Sequence, residues 1–513
     1  MMHLLNYSHS YWSLLPTGLA LVLAIFTHRV ILSLGVGILI GSLMLTGGQL
    51  LLSLIYLTHN ITNIIYNFQT SSFNFNNLEI ILFLFLLGVL TSLLSISGSN
   101  QAFANWVQRH IKNRRGAEIM AASLVFITFI DGYFHSLAVG AIARPITDKF
   151  HVSRAKLAYI LDSTAAPMCA LMPISSWGAY VITLISGLLI TYNMESYSPF
   201  QALMMMGMMN YYALFSIILV FLVAYFSFNI GPMVKYEKLS KTINLPQESA
   251  TTIPGRVRHL ILPITTLIIS TITTMIIIGS LNVTSHKQPI SLLATFEHTN
   301  MSLSLLIGAI CSVLIASLTL AYDQQLNCSQ YLKAWKIGIK AMTGALIILC
   351  FAWTINKVVN DMHTGHYLAS LIGNKLPIPT LPALIFLLSA IMAIATGTSW
   401  GTFGMMLPIA AAITYNIAPD LILMSLSAVM AGAVCGDHCS PISDTTILSS
   451  TGAQCNHIEH VMTQLPYALL LAIATTVGYL VVGYTLSPLL GFLASASVLT
   501  IFMLYHIQYQ KKA

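Results

Sequence analysis

The sequence VCGDHCSPISDTTILSS, from Val434 to Ser450, places two aspartates, a histidine, two cysteines and a proline inside an otherwise apolar region. An apolar run, LILMSLSAVMAGA (421–433), precedes it, and another begins at Leu465. A proline within a helix removes one backbone donor and clashes with the preceding turn. The backbone groups that it frees are tolerated at membrane depth only when they are buried in protein or line a wet cavity. The stretch therefore predicts a membrane helix that opens around Pro441.

The composition supports a membrane location for the whole chain. Of its 513 residues 56% are hydrophobic and 7% are charged, and the mean hydropathy is +0.80. A soluble domain has about 25% charged residues, so this chain could not cover a surface that faces water. The net charge of +7 does not indicate a nucleic-acid partner, because Lys and Arg cluster in short connections, as orientation signals do. The seven cysteines lie mostly in apolar runs, which favours reduced thiols over a disulfide framework.

Apolar runs that could cross the lipid bilayer recur along the chain. They lie near 12–27, 30–46, 78–97, 157–190, 202–229, 258–281, 301–321, 341–360, 420–450, 464–487 and 488–505. Two further runs, 117–143 and 380–415, have glycines and polar residues at their middles and are predicted to fold back as re-entrant hairpins. The sequence predicts one all-α polytopic membrane domain over 1–513, with roughly 11–13 spans and discontinuous helices.

An internal repeat is indicated by a second Pro-Ile-Ser sequence. Pro-Ile-Ser at 173–175 corresponds to Pro-Ile-Ser at 441–443, and each follows a glycine-containing hairpin and a polar link. The shared order of span, link, hairpin, link and broken helix predicts a first repeat at about 78–229 and a second at about 341–487. A relic of gene duplication, or no repeat at all, stays open as an alternative.

Charges predict that the two repeats have opposite orientations. The links of the first half contain Arg109, Lys112, Arg114, Arg115, Arg144, Lys149, Arg154 and Lys156. The corresponding links of the second half contain only Lys375, whereas the stretch before the second repeat contains Lys333, Lys336 and Lys340. If positive loops face the cytoplasm, the halves are inverted. Inverted repeats are typical of secondary transporters, whose sites lie at the midplane on discontinuous helices.

The opened helix has the ligands of a cation site. Asp437 and Asp444 flank the opening, and carboxylates within a membrane are expensive enough to be functional by default. Ser440, Ser443 and Thr445 add hydroxyl oxygens, and an all-oxygen set suits a hard cation such as Na⁺. A carboxylate in a low dielectric can instead hold a proton when no cation is present. The two aspartates are therefore predicted both to bind Na⁺ and to couple its movement to protons, unless they only cap helix fragments.

The first half contains counterparts to these residues. The stretch LDSTAAPMCALMPISSW (161–177) contains Asp162 and Ser175, which are candidate ion-binding residues. The hairpin TFIDGYFHSLAVG (128–140) contains Asp131, a candidate ion-binding residue or a structural partner of a serine or a backbone amide. Four broken elements, two from each half, are predicted to converge on one site.

Further candidates are ambiguous. The second hairpin, ATGTSWGTFG (395–404), has no charge but contains Thr398 and Ser399 as candidate ligands. His135 and His438 are candidate proton-coupling residues, although a single membrane histidine often serves only in packing. Cysteines and histidines near the second break suggest a metal centre, but their spacing fits no regular zinc site. These are Cys435, His438, Cys439, Cys455, His457 and His460.

Two stretches carry a resemblance to a known family. GDHCSPISDTTILSS (436–450) resembles the hallmark of the NhaC-type sodium/proton antiporter family, and TGTSWGTFG (396–404) with the following LPIA resembles its preceding hairpin. The resemblance implies an ion-transporter fold that is often dimeric. It also implies that one half of the site lies around the second break, with Thr398 and Ser399 opposite. Similar proteins include Na⁺/H⁺ exchangers and malate/lactate antiporters coupled to Na⁺ and protons.

The sequence thus predicts a secondary antiporter of the bacterial inner membrane that exchanges Na⁺ or Li⁺ for H⁺ and is not an enzyme. Neither a cofactor nor catalytic residues are expected. The alternative is a Na⁺- or H⁺-coupled transporter of a small organic substrate, either a carboxylate or an amino acid. An embedded metalloenzyme is disfavoured because the chain has no HExxH motif. A homodimer is compatible with the resemblance.

Overall fold

The computed structural model describes most of the chain. It covers residues 4–27, 29–68, 71–108, 111–194, 197–240, 255–285, 295–296, 298–364, 367 and 377–512. Arg109 and Lys375, two of the charges used to predict orientation, lie outside these residues.

Helices dominate the described residues, which confirms the predicted all-α fold. The N-terminal part has a 3-10 helix (Tyr11–Leu14), α1 (Leu15–Thr27), α2 (Val30–Leu45), α3 (Leu50–Asn63) and a small hairpin of β1 (Tyr66–Asn67) and β2 (Ser72–Phe73). Next come α4 (Phe75–Ile96), α5 (Ser99–Gln108), α6 (Arg114–Ser123), α7 (Val125–Thr128), α8 (Gly132–Lys149), α9 (Arg154–Leu171), α10 (Ser176–Thr191), α11 (Pro199–Met209) and α12 (Tyr211–Phe226).

The remaining helices connect the halves and build the second one. The connection consists of α13 (Met233–Ser240), α14 (Arg258–Ser285), α15 (Met301–Tyr322) and the long α16 (Cys328–Asp361). After a 3-10 helix (Ile378–Thr380) come α17 (Leu381–Thr396), α18 (Ser399–Ile417), a 3-10 helix (Pro419–Leu421), α19 (Ile422–Cys439), α20 (Asp444–Ala453), α21 (His457–Thr485) and α22 (Pro488–Lys512).

Nine helices in the described part of the chain are long and apolar enough to cross a membrane, or ten if α11 and α12, which meet at 54°, form one span. The protein is therefore a multi-pass membrane protein. The sequence-based count was higher because it included the shorter α1 and α2 and the interrupted run 117–143, whereas part of the run 380–415, Ile378–Thr396, does qualify as a span. The run 157–190, by contrast, passes as one span although it is broken between α9 and α10.

Helices also lie where the sequence predicts connections or no span. These are α3, α5, α13 and the first turns of α16. α16 begins early because Asn327 and Gln330 form a capping box, in which each side chain accepts a hydrogen bond from the other residue's backbone N–H. The cap thus starts the helix in a polar stretch, ahead of the apolar run that the sequence predicts as a span.

Not every positive charge of the first-half links faces water. Lys156 is completely buried, and its Nζ lies 2.8 Å from Glu118 and 3.7 Å from Glu237. Arg114 also pairs with both glutamates. This balanced cluster ties α6, α9 and α13 together. Removing one member would leave a buried charge without its partner.

The helix before the second break lies at the centre of the core. In α19, Gly432 and Gly436 face the backbone of α17 at Phe386 and Ala390, with no room for a Cβ atom at either glycine. Small residues four apart allow such close helix packing in membranes. As a result the end of α19, which carries Asp437, is enclosed by protein.

The two broken helices have the same local design. α9 and α19 are both 18 residues long, and each is followed by four residues outside helix, at 172–175 and 440–443. Ser175 and Ser443 then cap the next helices by accepting hydrogen bonds from the N–H groups of Gly178 and Thr446. The repeat bounds and the opposite orientation of the halves stay predictions.

Candidate ion-binding site

The second break leaves an opening between α19 and α20. Ser440 and Ser443 are buried, whereas Pro441 and Ile442 are exposed. The hydroxyl of Ser440 donates to the carbonyl of Ile394 in α17 at 2.8 Å, which anchors the break to the neighbouring helix. The helix thus opens at the proline, as predicted from the sequence.

Asp437 lies in the last turn of α19 and is completely buried. The hydroxyl of Ser443 donates to its Oδ1 at 2.6 Å, and the hydroxyl of Thr445 donates to its Oδ2 at 2.9 Å. The two hydroxyl oxygens are 3.0 Å apart. In the described part of the chain, no Lys or Arg pairs with this carboxylate. A buried carboxylate without a cationic partner is costly, so a proton or a bound cation would stabilise it.

Asp444 is the first residue of α20 and is only partly buried. Its Oδ2 accepts a hydrogen bond from the hydroxyl of Tyr133 in α8, and its Oδ1 accepts one from the N–H of Thr445 at 2.9 Å. The two aspartates therefore differ in access. Asp437 is enclosed, whereas Asp444 lies at the edge of the opening beside the exposed Pro441 and Ile442.

The second hairpin packs directly against this break. Gly397 has φ +66° and faces the backbone of Ile442 with no room for a Cβ atom, so only glycine fits there without strain. Thr398 precedes α18 in an extended conformation, and the hydroxyl of Ser399 donates to the carbonyl of Ala433 in α19 at 3.3 Å. The structure thus brings Thr398 and Ser399 next to the break, although the Ser399 hydroxyl is already engaged by the backbone.

The two breaks of the first half pack together in a similar way. Asp131 caps α8 by accepting from the N–H of Phe134 at 2.9 Å, and it also accepts from the hydroxyl of Ser176 at 2.9 Å. The hydroxyl of Ser175 donates to the carbonyls of Cys169 and Met172, at 2.6 and 2.8 Å. Asp131 and Ser175 therefore stabilise first-half breaks, and their predicted contact with an ion stays a prediction.

The two histidines occupy different surroundings. His135 is completely buried between the hydroxyls of Thr128 and Thr164, at 2.6 and 3.0 Å from its ring nitrogens. His438 lies beside Asp437, and its Nδ1 is 3.1 Å from the hydroxyl of Tyr212. His438 thus neighbours Asp437 along the chain while its ring contacts Tyr212, and His135 lies in a packing position lined by hydroxyls.

Asp162 joins the two halves of the molecule. This completely buried first-half carboxylate accepts from the hydroxyls of Thr446 and Ser449 in α20, at 3.0 and 3.3 Å. It also accepts from Nε2 of Gln464 at 2.6 Å, and Nε2 of His460 lies 3.4 Å away. The Thr446 hydroxyl is also 3.2 Å from the backbone carbonyl of Asp437. Thr446 therefore links Asp162 to Asp437.

Several residues of this network were not among the predicted site residues. They are Tyr133, Thr446, Ser449, His460 and Gln464. Helical spacing offered a signal for Ser449, because it follows Thr445 by one turn and so shares its face of α20. Nothing in the local sequence pairs Gln464 or His460 with a carboxylate about 300 positions earlier.

The cysteines and histidines near the second break do not assemble into a metal centre. Within the residues that the structure describes, no group of three or more His, Cys, Asp or Glu side chains could hold a metal ion. His457 instead lies with Nε2 2.6 Å from the carbonyl of Pro441 and Nδ1 3.2 Å from the hydroxyl of Ser450. It therefore contacts the backbone of the break itself.

Broken membrane helices around carboxylates are typical of secondary transporters. The sequence model of the Na⁺/H⁺ antiporter family matches residues 168–484, and the chain belongs to this family. An uncharacterized protein of Haemophilus influenzae is 58% identical over 497 residues, covering 97% of this chain and 95% of the relative.

Two further similarities are more distant. The malate-2H⁺/Na⁺-lactate antiporter of Bacillus subtilis is 36% identical over 105 residues, which are 20% of this chain and 22% of that protein. The solved MtrF structure from Neisseria gonorrhoeae aligns with a TM-score of 0.46 at 13% identity, covering 86% of this chain and 85% of that one.

Proposed function

We propose that this protein is a Na⁺/H⁺ antiporter of the bacterial inner membrane that works by alternating access. The observation that carries the proposal is the surroundings of Asp437. This enclosed carboxylate is contacted by two hydroxyls, and no Lys or Arg of the described residues pairs with it. Such a site is stable when it holds a small cation or a proton, and the two exclude each other.

The geometry suggests how Na⁺ would bind. The hydroxyls of Ser443 and Thr445 donate to Asp437 in this structure. Because a hydroxyl has both a donor and acceptor lone pairs, rotation about its C–O bond turns an oxygen toward an arriving cation. Three side chains would then supply oxygen ligands, and backbone carbonyls of the break could complete the shell. Release of Na⁺ to the other side would leave Asp437 to take up a proton.

Coupling follows from one carboxylate that serves both ions. A site that must hold either Na⁺ or H⁺ before the halves rearrange moves one ion in exchange for the other. Asp444, at the edge of the opening, would attract the cation before it reaches Asp437. The inward proton gradient would then drive the export of Na⁺ or Li⁺.

A second candidate function is the exchange of a small organic acid. The partial match to a malate-2H⁺/Na⁺-lactate antiporter favours it. An organic anion would require a cationic partner or helix N-termini near the site. The described breaks contain no Lys or Arg, so a bound Na⁺ or a protonated His438 would have to compensate the anion's charge.

Proteoliposomes that contain a pH-sensitive dye test the proposal. A pulse of Na⁺ alone should move protons with the intact protein and should not do so with an Asp437→Asn, Asp444→Asn double variant. Asp361→Asn is the matched control, since this carboxylate pairs with Lys357 at 2.8 Å outside the site, as the i, i+4 spacing suggests. No proton movement by the intact protein would reject bare-ion exchange, and the pulse should then be repeated with malate and lactate present.

A further inference from the structure

α8 of the first half and α20 of the second half lie side by side and run in the same direction. Three contacts join them at successive turns. Tyr133 hydrogen-bonds to Asp444, Ser136 lies 3.0 Å from Ser449 between hydroxyl oxygens, and the backbone of Gly140 touches that of Gly452. This interface connects the halves and ends at one of the two proposed site carboxylates.

The three contacts differ in tightness. Neither Gly140 nor Gly452 has room for a Cβ atom, and Ser136 and Ser449 are completely buried. Tyr133 and Asp444, in contrast, are both partly exposed. The interface is therefore packed backbone to backbone at one end and closed by a single side-chain hydrogen bond at the end that adjoins the opening.

Tyr133 lies in the capped first turn of α8. Asp131 caps α8 through the N–H of Phe134 and is itself held by the hydroxyl of Ser176. The capped first turn fixes the backbone of α8 on both sides of Tyr133. Its hydroxyl can donate only one hydrogen bond, and the carboxylate of Asp444 receives it.

We propose that Tyr133 is a latch that competes with the cation for Asp444 and so sets the affinity of the transporter for Na⁺. This inference rests on the proposed Na⁺/H⁺ exchange. A cation that binds Oδ2 of Asp444 on its way to Asp437 competes with the Tyr133 hydroxyl for this oxygen, and loss of the hydrogen bond loosens the contact of α8 with α20 at the end beside the opening. When the cation leaves, the hydrogen bond re-forms and lowers the free energy of the empty state. Tyr133 is thus a positioning residue that favours release of the cation from Asp444.

Tyr133→Phe tests the latch because it removes the hydroxyl and keeps the ring. The matched control is Tyr56→Phe, since the Tyr56 hydroxyl also donates to a carboxylate, Asp361 at 2.7 Å, away from the site. In proteoliposomes the KM of Tyr133→Phe for Na⁺ should fall about tenfold, the change expected when one charge-assisted hydrogen bond no longer competes. Its maximal rate should fall as well, because release is no longer favoured. Tyr56→Phe should change neither value.

A rise in KM for Tyr133→Phe would overturn the latch, because it would make Tyr133 a ligand of the cation. The latch would also be overturned if Tyr133→Phe had the same KM for Na⁺ and the same maximal rate as Tyr56→Phe. If the wild type moves no protons with Na⁺, the proposed function fails and the latch falls with it. If the wild type is active and only the Tyr133 prediction fails, the exchange stands.

A spectroscopic measurement covers the case in which Tyr133→Phe does not fold. The infrared difference spectrum of the wild type on adding Na⁺ should show a tyrosine losing its hydrogen bond, and Tyr56→Phe should keep that signal. Loss of the signal in Tyr56→Phe, or its absence from the wild type, would contradict the latch.

Discussion

The hydroxyl of Ser443, which immediately precedes α20, donates to the carboxylate of Asp437 at the end of α19, at a distance of 2.6 Å. This hydrogen bond closes the four-residue gap between α19 and α20 on its buried side. The same serine caps α20. One residue therefore shapes the break and provides a candidate ligand.

Ser443→Ala should weaken Na⁺ binding. It removes an oxygen from the proposed shell and one donor from Asp437, so the KM for Na⁺ should rise about tenfold, as for the loss of a hydrogen bond to a charged group. Initial rates of Na⁺-driven proton movement measure this change. Ser312→Ala is the control, since its buried hydroxyl donates to the carbonyl of Pro263 at 2.7 Å away from the site. An unchanged KM in Ser443→Ala would remove this hydroxyl from the site.

Asp437→Asn should separate ion binding from folding. The neutral amide fits the same place, so the Tm in Na⁺-free buffer should stay close to that of the wild type. Na⁺ at about 100 times its Kd should stabilise the wild type by about 2.7 kcal/mol, and it should leave the variant unchanged. Thermal unfolding in detergent, with and without Na⁺, measures both effects. A variant that Na⁺ still stabilises would show that the cation binds elsewhere.

Asp162→Asn should behave in the opposite way. Asp162 accepts from Thr446, Ser449 and Gln464, and a neutral amide would weaken hydrogen bonds that the carboxylate charge strengthens. Asp437, in contrast, is proposed to hold a proton, and so to be neutral already, when no Na⁺ is bound. For Asp162→Asn we expect a loss of about 1–3 kcal/mol in the free energy of unfolding, even without Na⁺. The comparison with Asp437→Asn in one thermal experiment distinguishes a stabilising bridge from a ligand. A drop in Tm for Asp437→Asn as large as that for Asp162→Asn would contradict the assignment.

Gly397→Ala should destabilise the second hairpin. The new Cβ atom would meet the carbonyl of Ile442, and the positive φ adds strain of about 1–2 kcal/mol. The expected result is a lower Tm with reduced transport. Gly344→Ala in the exposed face of α16 is the control, because a Cβ atom there meets nothing within 4 Å and should stabilise the helix by up to about 1 kcal/mol. Normal stability in Gly397→Ala would mean that the hairpin can move away from the break.

Acid should weaken the connection between α14 and α15. The hydrogen bond from Arg258 lowers the pKa of Asp323, which follows the end of α15 outside the span. A lowered pKa in the folded state stabilises the protein above the ordinary aspartate pKa of about 3.9, and this contribution is lost as the pH falls below it. The Tm of the wild type should therefore fall more than that of Asp323→Asn between pH 5 and pH 3. This range is roughly centred on the ordinary aspartate pKa. Equal falls would show that Asp323 does not contribute.

The sequence predicted the break but not all its partners. A proline among hydroxyls and carboxylates in an apolar run is a local signal, and the structure opens the helix at Pro441 and places Ser443 and Thr445 on Asp437. The neighbouring hairpin was predictable for the same reason. These inferences needed only the spacing of a few residues along one helix.

Contacts between the halves could not be read in this way. Tyr133 meets Asp444, and Gln464 meets Asp162, because two distant segments pack together. Beside the first of these pairs, Gly140 and Gly452 allow the close approach of α8 and α20, and no periodic pattern identifies these glycines. The buried pairing of Lys156 with Glu118 was missed for a related reason, since a charge in a link is usually solvated.

Proton release on Na⁺ binding shows whether Asp437 holds Na⁺ and H⁺ in turn. Purified protein in weakly buffered detergent, with a pH dye, is mixed with Na⁺ at a pH where the site is protonated. Na⁺ should release protons from the wild type and from Asp361→Asn, and it should release none from Asp437→Asn. Release that persists in Asp437→Asn, or Na⁺ binding to the wild type without release, would contradict a shared site for the two ions.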